Sequence, residues 1–299
     1  MNNVSLFPEM DKLESETLII IGNGFDIAHG IRSTYNDFRS WLKTEKESGL
    51  IGLMDTFFSF SNKRNAWDDI EGALGEYDEK NIFSYCRPDE EFDYDYSLSS
   101  SARIEDSSMA VFQPALGRFK DKFDEWVESI EIFGAERIIE LSPNCRYLTF
   151  NYTDTLETIY GIPKQNIVHI HGSRLVHDEY IIGHNHYRDS NNVWDEESLI
   201  FESRAKESII ESMNGFVKDY HGNIVKYSDF FSKLSSTKQI ICFGHSMNTI
   251  DWPYFEAIID RVGKDVPWRI SCYSKVDIDN VHEFKSHFGL KDVSTFQLM

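Results

Sequence analysis

The segment Thr17-Leu-Ile-Ile-Ile-Gly22 constrains the fold most. An apolar run ended by Gly22 and Gly24 predicts a short strand buried on both faces, as strands of a parallel sheet are. Arg146–Phe150, Asn166–His171, Gln239–Phe243 and Trp268–Tyr273 read as further strands, Tyr180–Ile182 as a shorter one and Thr295–Leu298 as an edge strand. Helices are expected between them. One starts near Thr34, where Thr34-x-x-Asp37 resembles a capping box. A short one spans Thr153–Tyr160, with Thr153 or Asp154 as its cap. A third opens at Asp251-Trp-Pro253, with Asp251 as cap and Pro253 in the first turn. Strands alternating with helices predict an α/β fold with a parallel sheet and crossover connections.

Residues 52–135 break that rhythm. Trp67, Ile70, Leu74 and Tyr77 recur at helical spacing, as do Phe112, Leu116, Phe119, Phe123, Trp126 and Ile130. The acidic, Ser-rich stretch over 86–108 reads as a loop. The expected organisation is a sheet domain from 1–50 and 144–299, interrupted by a mainly helical insertion over 51–143.

Charge narrows the partners. Lys and Arg number 30 against 50 Asp and Glu, a formal net charge of −20. Such a field repels phosphate backbones, so nucleic acid is not expected as a partner, while one anionic small molecule in a locally neutral pocket remains open. The four cysteines, Cys86, Cys145, Cys242 and Cys272, form no CxxC pair, and most sit in apolar segments. With no signal-like or membrane-spanning run, they fit a reducing cytoplasm and no membrane partner.

Five stretches could carry chemistry. Gly22-Asn23-Gly24-Phe25-Asp26 follows the first buried strand, where glycines permit a tight turn and close approach to a phosphate. The pattern departs from G-x-G-x-x-G: Ile27 stands where the third glycine would be, and no acid follows a second strand. Asp26 either caps backbone amides or holds a ribose hydroxyl, and Arg32 and Arg39 are candidate anion donors. Thr149-Phe-Asn151-Tyr-Thr-Asp154 places Asn151 at a strand end, with an amide that both donates and accepts. His169-Ile-His171-Gly172 puts two histidines on one face of a strand if alternation holds, with His171 nearer the end. Gly183-His184-Asn-His186 adds two more histidines. A metal site built from the four is an alternative, although no HExxH helix or carboxylate at ligand spacing accompanies them. Gly244-His245-Ser246, leading to Asp251, offers a second contact loop.

These stretches, with Trp67-x-x-Ile-Glu71, resemble the AbiH family of bacterial phage abortive-infection proteins. The carrying segments are IGNGFDIAHGIRSTYNDF (21–38), TFNYTDTLE (149–157), HIHG (169–172), IIGHN (181–185) and FGHSMNTID (243–251). A more distant resemblance is to sirtuin-type NAD-binding domains. It implies a Rossmann-like, sirtuin-like sheet in which Asn151 and His171 are catalytic. The sirtuin Gly-Ala-Gly-x-Ser opening is here Gly22-Asn-Gly-Phe-Asp26, Phe150 replaces a Gln, and there is no four-cysteine zinc module. NAD hydrolysis is therefore the expected chemistry in place of deacylation.

On that expectation Asn151 and His171 act on the ribose–nicotinamide bond. Gly22, Asn23, Gly24, Phe25, Asp26, Arg32, Thr149, Asp154, Gly172, Gly183, His184, Gly244, His245, Ser246 and Asp251 hold the nucleotide. No cofactor is required beyond NAD or a related nucleotide as substrate. A phage-derived trigger and a homo-oligomeric state are further expectations, and the 86–108 stretch is a place to look for restraint. Two other functions stay open: a nucleotide-sensing module without catalysis, and a metal-dependent nuclease, which the acidic charge disfavours.

Overall fold

The apolar runs assemble into a six-stranded, fully parallel sheet: β1 (Thr17–Ile21), β2 (Arg146–Thr149), β3 (Ile167–His169), β4 (Gln239–Phe243), β5 (Trp268–Ser271) and β6 (Val293–Phe296). The computed structural model describes residues 14–58, 67–86, 98–176, 178–193 and 200–297. Strand order across the sheet is β3-β2-β1-β4-β5-β6. That is the 3-2-1-4-5-6 order of doubly wound α/β sheets, whose direction of growth reverses between β1 and β4. β1, at the centre, is buried along its whole length. β6 closes one edge and is partly exposed, as its Val-Ser-Thr-Phe sequence suits.

Alternation sorts the strands between two cores. Leu18, Ile20, Leu148, Ile240, Cys242 and Ile270 face one layer. There they meet Tyr254, Phe255 and Ile258 of the helix Trp252–Val262 and Val281, Phe284 and Phe288 of the helix Lys275–Phe288. Ile19, Ile21, Tyr147, Ile241 and Phe243 face the other, with Phe25, Leu156, Tyr160 and Ile162. The helix Lys275–Phe288 carries a complete capping box between Ser274 and Asp277 and ends on Gly289 at φ 64°. All four cysteines are buried and none forms a disulfide.

The chain divides into two units. The first comprises residues 1–34, 127–181 and 219–299, and the second 35–126 and 182–218. The sequence pattern places the boundary at 50 and leaves 182–218 with the sheet. In the structure the helix Tyr35–Thr44 belongs to the second unit because Phe38, fully buried, packs on Trp41, Trp67, Phe119, Phe123 and Trp126. Residues 182–218 join that unit through Glu71, which accepts from the Gly183 amide at 3.2 Å and from the buried Lys218 ammonium at 3.0 Å.

Several local expectations are corrected. A six-residue helix, Asn23–Ala28, follows β1 directly, where the sequence suggests a loop up to Thr34. Tyr180–Ile182 is not a strand; Ile181 makes one main-chain bond, to the His171 carbonyl at 2.9 Å. Residues 98–108, expected as loop, open the long helix Leu98–Ser129. The rest of that stretch, 87–97, lies outside the described residues, as do residues 298–299 of the expected last strand. No helix among the described residues is long and apolar enough to cross a membrane.

Candidate functional site

Ligands of open α/β sheets bind beyond the C-terminal ends of the strands. In the first unit, the polar side chains buried there come from β1, β2, β3 and β4. Asp26, in the first turn of the helix after β1, is fully buried. Its carboxylate accepts from Thr153 Oγ1 at 2.6 Å and Thr155 Oγ1 at 2.7 Å. Burial pushes the Asp26 carboxyl above its ordinary range, opposed by these hydroxyls and by the nearby Asn151 amide. In the sequence Thr153 suggests no role beyond a cap, and Thr155 suggests none. Their spacing in Thr153-x-Thr155, just past a strand end, is the signal that could have found them.

Asn151 follows β2. Its main-chain amide donates to Thr149 Oγ1 at 3.1 Å, and its carbonyl accepts from His169 Nδ1 at 3.0 Å. The residue is 6% exposed; Nδ2 faces the Asp26 carboxylate without closing a hydrogen bond of ordinary geometry, and Oδ1 has no hydrogen-bond partner among the described residues. A buried side-chain amide without partners costs about 1–3 kcal/mol. Such groups in native structures call for an explanation, and a ligand is one.

Neither Thr153 nor Asp154 caps the helix Thr155–Thr158 as expected. The Thr153 hydroxyl is spent on Asp26. Asp154 accepts from Thr158 Oγ1 and from the Arg174 guanidinium, both at 2.5 Å. Burial raises the Asp154 carboxyl, but these two donors outweigh it and hold it below its ordinary range.

His169 and His171 do not present one surface. The strand ends at His169, so alternation does not reach His171. His169 turns inward, with Nε2 2.9 Å from Glu157 Oε1. His171 precedes Gly172, whose φ of 94° and close approach to the Glu179 carbonyl exclude a side chain.

β4 supplies the remaining partners. Asp251 stands at the N-cap position of the helix Trp252–Val262, with Pro253 in its first turn, but its side chain makes no cap bond. Instead Oδ1 lies 3.4 Å from His171 Nε2, and Oδ2 lies 3.4 Å from His245 Nε2. The Met247 amide donates to His245 Nδ1 at 2.9 Å, which assigns the neutral ring's proton to Nε2, facing Asp251. Met247 adopts φ 56° to deliver that amide. The Phe150 ring packs edge-on against both imidazoles, with centroids 5.2 Å from His171 and 4.4 Å from His245.

The glycines have a packing role. A Cβ on Gly22 would meet His245 Cα at 2.6 Å, one on Gly24 would meet Gly244 Cα at 2.8 Å, and one on Gly244 would meet Phe25 N at 2.1 Å. The loops after β1 and β4 therefore touch backbone to backbone at the point where the strand order reverses. Their amides are used internally: Gly22 donates to Phe243 O, Gly24 to Gly244 O, Phe25 to Gly22 O and Gly244 to Ser271 Oγ. Asn23 Oδ1 accepts from Ser33 Oγ, while Arg32 and Ser246 are exposed.

Gly183 and His184 belong to the second unit. A Cβ on Gly183 would fall 1.9 Å from the Phe216 carbonyl. His184 is fully buried; Nε2 donates to Met213 O and Nδ1 accepts from the His186 amide, both at 3.2 Å. Burial holds it neutral, at a pKa of about 4. Arg39, also in that unit, is paired with Asp55 at 2.6 Å. Among the described residues no three His, Cys, Asp or Glu side chains converge as ligands for a metal ion.

Comparison with known proteins agrees with the sequence motifs. The family described as "Bacteriophage abortive infection AbiH" matches residues 18–272, from β1 through the end of β5. Neither the curated proteins nor the solved structures give a match. The match spans most of the chain and every strand-end residue described above. The chain thus belongs to the AbiH family of bacteriophage abortive infection proteins.

Proposed function

We propose that this protein acts in abortive infection by binding a nucleotide beyond the C-terminal ends of the strands and hydrolysing NAD at the nicotinamide–ribose bond. The observation that carries this reading is Asn151: a buried amide at a strand end of a 3-2-1-4-5-6 sheet, whose Oδ1 has no hydrogen-bond partner among the described residues and whose Nδ2 meets only the Asp26 carboxylate, short of a full hydrogen bond. The distant resemblance to sirtuin-type domains gives the same residue and His171 as the acting pair.

In this mechanism Asn151 orients a water or the ribose. The C1′–N bond breaks, its electron pair leaves with nicotinamide, and positive charge develops on the ribose. Water oxygen bonds to C1′, and its proton passes to His171 as general base. The Asp251 carboxylate, 3.4 Å from His171 Nε2, stabilises the imidazolium so formed. His245 holds the other oxygen of Asp251 and fixes its orientation. Asp26 and its two threonines support the wall beside Asn151.

The test is the NAD level in cells expressing wild type, Asn151→Ala or His171→Ala, with and without phage challenge. A fall on challenge that needs both residues is the expected result. Steady NAD with intact protection would overturn the hydrolase reading and favour nucleotide sensing without turnover.

A further inference from the structure

The geometry points to a second small-molecule site, at the opposite edge of the sheet, which binds a mononucleotide. A cavity of about 440 Å³ opens where β2 and β3 begin, within the range typical of small-molecule sites. Arg146, Lys226 and Lys233 line it in a chain whose net charge is −20. Three cations against one lining carboxylate, Asp229, leave the concavity locally positive in a chain of opposite net charge. Lys226 is 3.7 Å from Asp178, and Arg146 donates to the Ser15 carbonyl at 2.9 Å. Lys233 is exposed and makes no ion pair among the described residues.

Phosphate alone would not need the rest of the lining. Tyr227 and Phe230 offer aromatic rings, on which a base can stack. The Tyr227 hydroxyl donates to the His169 carbonyl at 3.1 Å, so that ring is held in place before any ligand arrives. Lys226 Nζ already lies 5.1 Å from its centroid, so a charged group and a ring face are presented side by side. Asn166 binds the Pro143 carbonyl through Nδ2 at 2.7 Å, leaving its oxygen as an acceptor. Asp229 suits a ribose hydroxyl. Cations for the phosphate, rings for the base and acceptors for the sugar are the components of a mononucleotide site.

Calorimetric titration of the full chain with AMP, adenosine and inorganic phosphate tests this. AMP is expected to bind, and adenosine and phosphate at least tenfold more weakly. Lys233→Glu, an exposed change that spares the core, is expected to weaken AMP at least tenfold with an unchanged melting temperature. Asn151→Ala is expected to leave AMP binding intact. No AMP binding, or binding indifferent to Lys233→Glu, would overturn the site. Binding lost in Asn151→Ala alone would assign the nucleotide to the strand ends instead.

Discussion

His169 Nδ1 donates to the main-chain carbonyl of Asn151 across 3.0 Å, tying the end of β3 to the end of β2. The bond fixes where Asn151 sits without using its side chain. With Thr149 holding the amide nitrogen of the same residue, the backbone is pinned from both sides and the side-chain amide is left for something else. A position so supported and yet unsatisfied is what the proposed function requires of a residue that trades stability for binding.

That trade is measurable. Asn151→Leu removes a buried amide that completes no hydrogen bond of ordinary geometry and keeps most of the volume, so the folded state is expected to gain about 1 kcal/mol. The same variant is expected to lose nucleotide binding and NAD consumption. Urea denaturation and NAD assays on one preparation check both. A loss of stability would mean that Asn151 has a structural partner.

Asp251→Asn separates capping from electrostatics. Since the wild-type carboxylate makes no cap bond, stability is expected to fall by under ~1 kcal/mol. Turnover of NAD is expected to fall about 10²-fold or more, as for loss of a general-base partner. Imidazole nitrogen spectra should still show the His245 proton on Nε2, because the Met247 amide, not Asp251, sets that tautomer. A destabilisation of several kcal/mol with normal turnover would refute this account.

Two glycines with similar backbone angles predict different outcomes. Gly30 has φ 75° and nothing near its absent Cβ, so Gly30→Ala should cost about 1–2 kcal/mol, the left-handed strain alone. Gly244 has φ 65°, and its Cβ would press on the Phe25 nitrogen. Gly244→Ala must also push the β1 and β4 loops away from each other, and is expected to cost clearly more or to prevent folding. Denaturation midpoints and soluble yield decide this.

His184 predicts a pH dependence. Burial lowers its folded-state pKa from the ordinary 6.5 to about 4. The stability this gives is fully present above pH 6.5 and is lost as pH falls towards 4, because the unfolded chain takes up the proton first. One bond of the ring, Nδ1 accepting from the His186 amide, requires the neutral form, whereas the Nε2–H bond to Met213 O would survive protonation. His184→Gln is expected to flatten the stability profile between pH 6.5 and 4, read by thermal unfolding across that window. An unchanged slope would show that other groups govern it.

The sequence by itself determined the sheet. Apolar runs such as Leu18–Ile21 and Ile240–Phe243 have no soluble option but burial on two faces, and the segments between them permit only crossover connections. The strands over 146–150 and 166–171 were therefore legible, with Asn151 just past the first; that the second stops at His169 and leaves His171 beyond it was not. The tertiary structure alone decided what the polar residues do there. Asp251 reads as a helix cap by position, yet His171, eighty residues away, and His245 of the same loop compete for it and win. Gly22, Gly24 and Gly244 read as a phosphate cradle, yet each yields space to another loop's backbone. His184 reads as a ligand, yet it is satisfied by Met213 and His186. Local pattern fixes which residues are buried in a strand or helix. The partner of a buried polar group is set by whichever element packs against it, and that is a long-range fact.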